Sequence, residues 1–202
     1  MKNERIILGS GYVHIGTFTG EALPDPETFC TDENIFSYIQ GGATLEYKPS
    51  KHVAMDDMGR VSKETIVEEE AILKSGIMTF CGETLDKLCD TARVEEKEAG
   101  IGVGKKRHRI VKVGGVGNRK NAKYIICFHH EDPVDGDIWI MIVGSNQAGF
   151  VLSFVKDKET VVDVEFRALP HDKEGTLIHY EEEIMEPAPE VAAETTDAHG
   201  KK

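Results

Sequence analysis

The sequence predicts a mainly β protein with one flanking α-helix and a long projecting hairpin. Two apolar runs, residues 137–143 and 149–155, have the length of strands, are rich in β-branched and aromatic residues, and are separated by a short polar segment. The next run, residues 162–168, alternates with the two-residue period of a pleated strand. Its dry face should hold Val162, Val164, Phe166 and Ala168. These runs predict three consecutive antiparallel strands.

Two segments earlier in the chain also have the pattern of strands. Residues 11–18 alternate, and Pro24 and Pro26 stop this first strand because proline lacks the backbone donor that a ladder needs. Residues 38–48 alternate again before Pro49, and one face of this strand is formed by Ala43, Leu45 and Tyr47. We expect an irregular connection between the two strands.

Residues 61–80 complete a long hairpin with that second strand. Their apolar residues are spaced by Glu and Lys, and the turn signal Asp56-Asp57-Met58-Gly59 precedes them. Such a hairpin is too long to be covered by its own small domain. We therefore expect part of it to pack on another molecule, which would also protect its exposed strand edges.

One helix is predicted over residues 82–93. Glu83 and Asp86 lie in its opening turns, where the helix dipole favours negative charge. The stripe that should pack on the sheet consists of Leu85, Leu88, Cys89 and Ala92.

The remaining segments are predicted from composition. Residues 94–106 are charged and glycine-rich and should form a mobile loop, and residues 109–113 and 124–129 should form short strands. Residues 181–202 are acidic with few large apolar side chains, so we expect a disordered C-terminal tail. The β domain is accordingly expected to span residues 1–180.

The formal net charge of −12 is unevenly placed. Residues 99–130 contain no acidic residue and carry a basic band of Lys105, Lys106, Arg107, Arg109, Lys112, Arg119, Lys120 and Lys123. A basic band on an acidic body suits either a nucleic acid or a second copy of the chain. No segment has the apolar length of a membrane span or of a signal-peptide core, so we expect folding in the cytoplasm.

No part of the sequence requires catalysis, a cofactor or a metal. The four cysteines lack a Cys-x-x-Cys pair and are expected to be reduced core thiols. Residues 100–106 resemble a phosphate-binding loop, but the glycine spacing is wrong and Lys106 stands where a hydroxyl is needed. Residues 129–132, His-His-Glu-Asp, would alternate in direction on a strand, which favours a solvated hairpin loop over a metal site. An enzyme is therefore not predicted.

Six motifs occur in a distinctive order and spacing. They are residues 39–47 (IQGGATLEY), 56–61 (DDMGRV), 73–77 (LKSGI), 88–92 (LCDTA), 143–150 (VGSNQAGF) and 174–178 (EGTLI). Together they closely resemble the major tail (tail tube) protein of tailed bacteriophages, in the version found in phages and prophages of Gram-positive bacteria. The resemblance covers most of the chain, from about residue 6 to residue 183.

The resemblance implies a β-sandwich or barrel of the tail-tube type, assembled as hexameric rings that stack into the conduit for DNA ejection. The implied partners are copies of the chain, the tape-measure protein, and tail tip and terminator proteins. DNA would pass transiently without specific binding, in a virion tail assembled in the host cytoplasm. One alternative is the tube subunit of a phage-derived contractile bacteriocin. Another, from a different class, is a monomeric or dimeric polyanion-binding module that uses the basic band.

Two groups of residues are predicted to carry the tube function. An acidic lumen, with the same sign of charge as phosphate, would be lined by polar strand faces holding Glu46, Glu68, Glu70, Asp163 and Glu165. Contacts between subunits would involve the hairpin tip and the basic band, namely Asp56, Asp57, Met58, Gly59, Arg60, Lys105, Lys106, Arg107 and Arg109. If the band faces acidic surface of the next subunit, assembly should weaken as salt screens those pairs.

Overall fold

A computed structural model describes residues 6–99 and 106–185 of the chain as ten β-strands and two α-helices. In chain order these are β1 (Tyr12–Thr17), α1 (Pro26–Phe29), β2 (Ile35–Ser37), β3 (Ile39–Met55), β4 (Ser62–Ile77), α2 (Gly82–Leu88), β5 (Arg93–Ala99), β6 (Lys106–Lys112), β7 (Tyr124–His130), β8 (Ile138–Asn146), β9 (Val162–Ala168) and β10 (Ile178–Glu182). Single turns of 3-10 helix lie at Asp32–Asn34 and Val116–Asn118. The predicted mainly β class is confirmed.

Eight of these strands form one antiparallel sheet in the order β2-β1-β7-β8-β9-β4-β3, with β10 added beside β8. β8 has three partners because β10 pairs with residues 138–142, whereas β9 pairs with residues 144–146. β5 and β6 form a separate two-stranded sheet that contacts α2.

The main core lies inside a strong curl of the eight-stranded sheet. β9 alternates as predicted, and its buried side chains are Val162, Val164, Phe166 and Ala168. The rings of Phe36 on β2 and Phe166 on β9 lie 6.2 Å apart, although three strands separate β2 from β9 in the sheet. β2 and β3 stand at opposite ends of the order, yet Tyr38 alone separates them in the chain. The two ends of the sheet must therefore come together around the core.

A second apolar cluster covers the opposite face of β7 and β8. It contains Phe29, Ile125, Cys127, Trp139, Met141 and Val143. α1 supplies the phenyl ring; its N-cap Asp25 accepts hydrogen bonds from the backbone of Glu27 and Thr28, and Pro26 stands where no amide donor is needed. Because β7 and β8 are buried on both faces, their sequences are continuously apolar rather than alternating.

The predicted helix is present but shorter than expected. α2 ends at Leu88, and Cys89 has extended backbone angles (φ −124°, ψ 118°). Lys120 donates to the Asp86 carbonyl over 3.3 Å, so a side chain from elsewhere satisfies one of the terminal carbonyls. Leu88 is 2% exposed, and Leu85 and Cys89 pack against the same core, as predicted. No helix in the described part of the chain is long and apolar enough to cross a membrane.

The strand predicted over residues 149–155 is wrong, because these residues are irregular apart from one isolated bridge. Asn146 redirects the chain: its side-chain amide donates to the Gly149 carbonyl over 2.6 Å, and its Oδ1 accepts from the Glu165 amide over 3.0 Å. Side-chain hydrogen bonds of this kind replace the ladder that a strand would need. Phe154 is consequently 79% exposed.

The loop predicted over residues 94–106 is also wrong in its first half, which belongs to β5. Glu96 lies directly opposite Arg109 in the β5–β6 pair. Opposite charges facing each other across two strands stabilise a sheet. The charged residues that suggested a loop therefore stabilise the pairing of β5 with β6. β6 starts at Lys106, which is earlier than predicted. Residues 100–105 lie outside the described residues.

The predicted boundary after residue 180 falls inside a strand. β10 pairs with β8 from Ile178 to Glu182, so Glu181 and Glu182 belong to the sheet. The acidic side chains of these residues do not prevent strand formation, because backbone hydrogen bonds make the pairing with β8. The predicted disordered tail over residues 186–202 lies outside the described residues, as do residues 1–5.

A candidate assembly surface on the long hairpin

β3 and β4 form a hairpin of which only the base belongs to the body. Residues 71–77 of β4 alternate between buried and half-buried, whereas residues 47–69 are all exposed. At a rise of about 3.3 Å per residue, residues 48–55 extend β3 by roughly 26 Å beyond the body. The predicted tall hairpin with a projecting tip is confirmed.

The five carboxylates predicted for the lumen lie on one continuous face. Residues directly opposite each other in a sheet share a face, and the register places Lys48 opposite Glu70, Ser50 opposite Glu68, and Gly76 opposite Asp163. This face points away from the core. We call it the ionic face; its charged residues are Glu46, Lys48, Lys63, Glu68, Glu70, Lys74, Asp163, Glu165 and Arg167.

Cations stand between these carboxylates, and their ion pairs were not predicted from the sequence. Lys74 Nζ lies 3.3 Å from Glu46 and 3.7 Å from Glu165. Hydrogen bonds from Lys48 and Lys74 hold the pKa of Glu46 below its usual value. Farther along the hairpin, the Arg167 guanidinium lies 3.3 Å from the Glu70 carboxylate and 3.8 Å from the Glu68 carboxylate. The ionic face therefore carries five acidic and four basic side chains, a mixed surface with one carboxylate in excess rather than a purely acidic one.

The other face of the projecting hairpin is largely apolar and has no cover within the described chain. We call it the distal apolar face; it contains Tyr47, Pro49, Val53, Met55 and Ile66. Along β3 it continues the side that is turned toward the core in the body, where Leu45 packs. Val53 is 49% exposed, Ile66 51% and Met55 63%. Three charged side chains interrupt it: those of the Lys51–Glu64 ion pair, and Glu69, which lies opposite Pro49 and accepts a hydrogen bond from the Tyr47 hydroxyl.

Both edges of the projecting hairpin are open among the described residues. β3 is the last strand in the sheet order, and β9 pairs with β4 only over residues 72–77. The outer halves of both strands therefore present unpaired backbone donors and acceptors. Such edges are templates for pairing with another chain.

The predicted contact residues of the tip form one closed turn. Asp56 N donates to the Val61 carbonyl over 3.0 Å, and the Asp56 carboxylate accepts from Val61 N over 2.7 Å, which lowers the pKa of that carboxyl. Gly59 has a φ of +66°, in the left-handed region that glycine tolerates without strain. Asp57, Met58 and Arg60 are exposed on this turn, so the structure brings the five tip residues together.

The structure divides the predicted basic band between β6, which holds Lys106, Arg107, Arg109 and Lys112, and the segment before β7, and it pairs much of the band within the chain. Arg109 Nη2 lies 2.8 Å from Glu83 and 3.1 Å from Glu96, and Arg107 is also bonded to Glu96. Lys106 is exposed at the start of β6. Lys105 lies outside the described residues. The band therefore has less free charge for a neighbouring subunit or a polyanion than the sequence suggested.

Sequence reasoning missed a cluster of thiols and imidazoles under α1. Cys30 Sγ lies 3.3 Å from Cys127 Sγ, and the ring of His14 lies 6.2 Å from that of His129. His129 stacks on Trp139 at 5.1 Å. The two cysteines are 97 positions apart, so no local motif could reveal them.

Two expectations about these residue types need correction. Residues 129 and 130 do not belong to a solvated loop: both imidazoles are buried at the end of β7, and His129 Nε2 lies 2.8 Å from the Asp137 carboxylate. All four cysteines are free thiols, but Cys81 is exposed rather than in the core. In the described ranges, no group of three or more His, Cys, Asp or Glu side chains could hold a metal ion.

No protein-family model matches the chain, and no curated protein has significant sequence similarity to it. The resemblance to tail tube proteins therefore stays a prediction from the motifs quoted above.

Proposed function

We propose that this chain is the structural subunit of a tail tube, which self-assembles into hexameric rings stacked as a conduit for DNA. The observation that carries the proposal is the projecting hairpin, which is apolar on one face, ionic on the other and open at both edges. An isolated two-stranded ribbon of this kind is marginally stable in water. Pairing with copies of itself would satisfy its edges and bury its apolar face.

The body suits a closed β architecture of the tail-tube type. Tyr38 alone joins the two ends of the sheet order, and side chains from six strands, including Phe36, Leu73 and Phe166, meet in one core. A sheet that closes on itself needs such a return connection. These features favour a barrel-like body, with α2 as the flanking helix.

In this proposal the ionic face lines the lumen and the distal apolar face packs on neighbouring subunits. Symmetry would repeat the five carboxylates and four cations of the ionic face around the channel. The excess of carboxylates repels phosphate, while the interleaved cations hold the side chains in place. A polycationic lining would instead hold DNA by counterion release.

The remaining assignments follow from the resemblance. The tape-measure protein would occupy the lumen before ejection, and the terminator and tail tip proteins would close the tube ends in the virion. The tube of a phage-derived contractile bacteriocin would use the same surfaces. The polyanion-binding alternative is weakened because Arg107 and Arg109 are engaged by Glu83 and Glu96.

Electron microscopy of the concentrated protein tests the proposal. The full chain should form rings or tubes with sixfold symmetry. A variant in which residues 48–69 are replaced by an Asn-Gly turn should stay monomeric with an unchanged melting temperature, because these exposed residues contribute nothing to the core. A full-length chain that remains monomeric at high concentration and binds DNA in a salt-sensitive way would refute the tube and support the polyanion-binding module.

A further inference from the structure

Cys30 and Cys127 come together from two different layers of the fold. Cys127 lies in the middle of β7 and is 0% exposed. Cys30 follows α1, in the irregular connection that covers the second apolar cluster, and is half-buried. Their sulfur atoms are 3.3 Å apart. One thiol is therefore fixed in the sheet, and the other stands on a segment that can adjust.

The surroundings give the two thiols different chemistry. The hydrogen bond with Cys127 lowers the pKa of Cys30 to about 5, with further help from the imidazoles of His14 and His129. The same contact, together with burial, raises the pKa of Cys127. These opposite shifts favour the half-buried sulfur as the thiolate and the buried sulfur as the protonated partner. A low-pKa thiolate beside a second thiol is the arrangement of a nucleophile with its resolving partner.

We propose that Cys30 and Cys127 are a thiol–disulfide exchange site that closes into an intramolecular disulfide when the protein meets an oxidising small-molecule disulfide. The Cys30 thiolate attacks one sulfur of that disulfide, forming a mixed disulfide and releasing one small thiolate. The Cys127 sulfur loses its proton to solvent or to the released thiolate, attacks Cys30 Sγ and expels the second small thiolate. The protein pair is oxidised by two electrons, and the small disulfide is reduced to two thiols.

Closure requires little movement. A disulfide bond is about 2.05 Å long, so the sulfur atoms must approach by roughly 1.2 Å from their present separation. Cys30 can make this movement because it lies between α1 and the following 3-10 turn, outside any ladder. The bond would fasten the connection between β1 and β2 to the outer face of β7.

The redox environment would decide which form is present. A reducing cytoplasm keeps the dithiol, and an oxidising medium outside the cell favours the disulfide. The inference does not depend on tube assembly, since both cysteines belong to one subunit.

The test treats the reduced full-length protein with glutathione disulfide and maps its thiols by mass spectrometry after denaturation. We expect the loss of two of the four thiols, a mass lower by two hydrogen atoms, and a cross-linked peptide pair containing Cys30 and Cys127. The closed loop is long, so the melting temperature should rise by roughly 10 °C and return on reduction. Cys81→Ala should give the same cross-linked peptide pair and the same loss of two thiols, because the exposed thiol is not part of the pair.

Variants of the pair separate the two steps. Cys127→Ala should accumulate a glutathione adduct on Cys30, and Cys30→Ala should react at neither position. If the wild-type protein keeps both thiols, or stops at a stable adduct, the exchange site does not exist. The proposal would also be overturned if the wild-type protein bound one equivalent of Zn²⁺ and Cys30→Ala did not, because the pair would then be a metal site. If Cys127→Ala fails to fold, the measurements on the wild-type protein remain decisive.

Discussion

Truncating two side chains of the distal apolar face should weaken assembly without weakening the subunit. Val53 and Ile66 are each about half exposed in the single chain. Full burial of such a side chain is worth roughly 1.5–3 kcal/mol, so the half that remains exposed can contribute about 1 kcal/mol at an interface. The Val53→Ala, Ile66→Ala double variant should therefore lose about 2 kcal/mol per interface. The concentration at which rings form should rise roughly 30-fold.

The matched control lies on the same two strands. His52 and Thr65 are directly opposite each other and belong to the other face of the hairpin. The His52→Ala, Thr65→Ala double variant should assemble like the unmodified protein. Neither double variant should change the free energy of unfolding of the subunit by more than about 0.5 kcal/mol, because all four side chains are exposed.

Sedimentation velocity over a concentration series, with urea unfolding of each variant, measures both quantities. Equal assembly thresholds for the two double variants would refute the assignment of the apolar face to the interface. If only the control variant needs a higher concentration to assemble, the assignment of the two faces is the reverse of the one proposed, and the ionic face packs between subunits.

Three further predictions concern the body and the channel. Leu88→Ala should lower the free energy of unfolding by roughly 2–5 kcal/mol in chemical denaturation, since Leu88 is 2% exposed; a loss well under 1 kcal/mol would mean that α2 does not seal the core. Exchanging Glu68 and Glu70 for Lys in assembled particles should slow DNA ejection through normal tubes, and unchanged ejection would count against a lumen position. Burial raises the pKa of Asp137, but hydrogen bonds lower it overall, so its stabilising contribution is present above pH about 4 and is lost as pH falls through the lowered pKa. Asp137→Asn should therefore destabilise the protein at neutral pH and progressively less in acid, as urea titrations at several pH values would show.

Periodicity predicted the elements whose side chains face two different environments. β9 and the base of the long hairpin each have one face on the core and one in solvent, so alternation in the sequence reports their geometry directly. The stripe of α2 was predicted for the same reason, although its end depends on Lys120, which belongs to a distant segment.

The errors arose where a local pattern had a distant cause. The charged residues of β5 lie opposite charged residues of β6. The sequence of β5 alone therefore does not show that it is a strand. Residues 149–155 have the composition of a strand, but Asn146 engages their backbone and no partner strand is available among the described residues. In both cases tertiary pairing overrides local propensity.

The candidate site could be predicted in part. The carboxylates of the ionic face and the shared face of Arg167 were identified from alternation. The ion pairs that Lys74 and Arg167 make with neighbouring strands could be known only from the register of three strands. The register shift between Ser50 and Lys51 also had to be known before Ile66 could be assigned to the apolar face. The pairing of Cys30 with Cys127 required the complete fold.

The salt dependence of assembly tests how charge acts between subunits. The sequence favoured weakening by salt, because the basic band was expected to face acidic surface of the next subunit. In the folded chain Arg109 is already engaged by Glu83 and Glu96, so in the proposed tube we expect the dominant long-range term to be repulsion between chains with a formal charge of −12 each. Raising NaCl from about 50 mM to about 500 mM shortens the screening length severalfold, and the assembly threshold should therefore fall. If light scattering instead shows a threshold that rises with salt, ion pairs between subunits outweigh this repulsion, and the exposed remainder of the basic band is their most direct source.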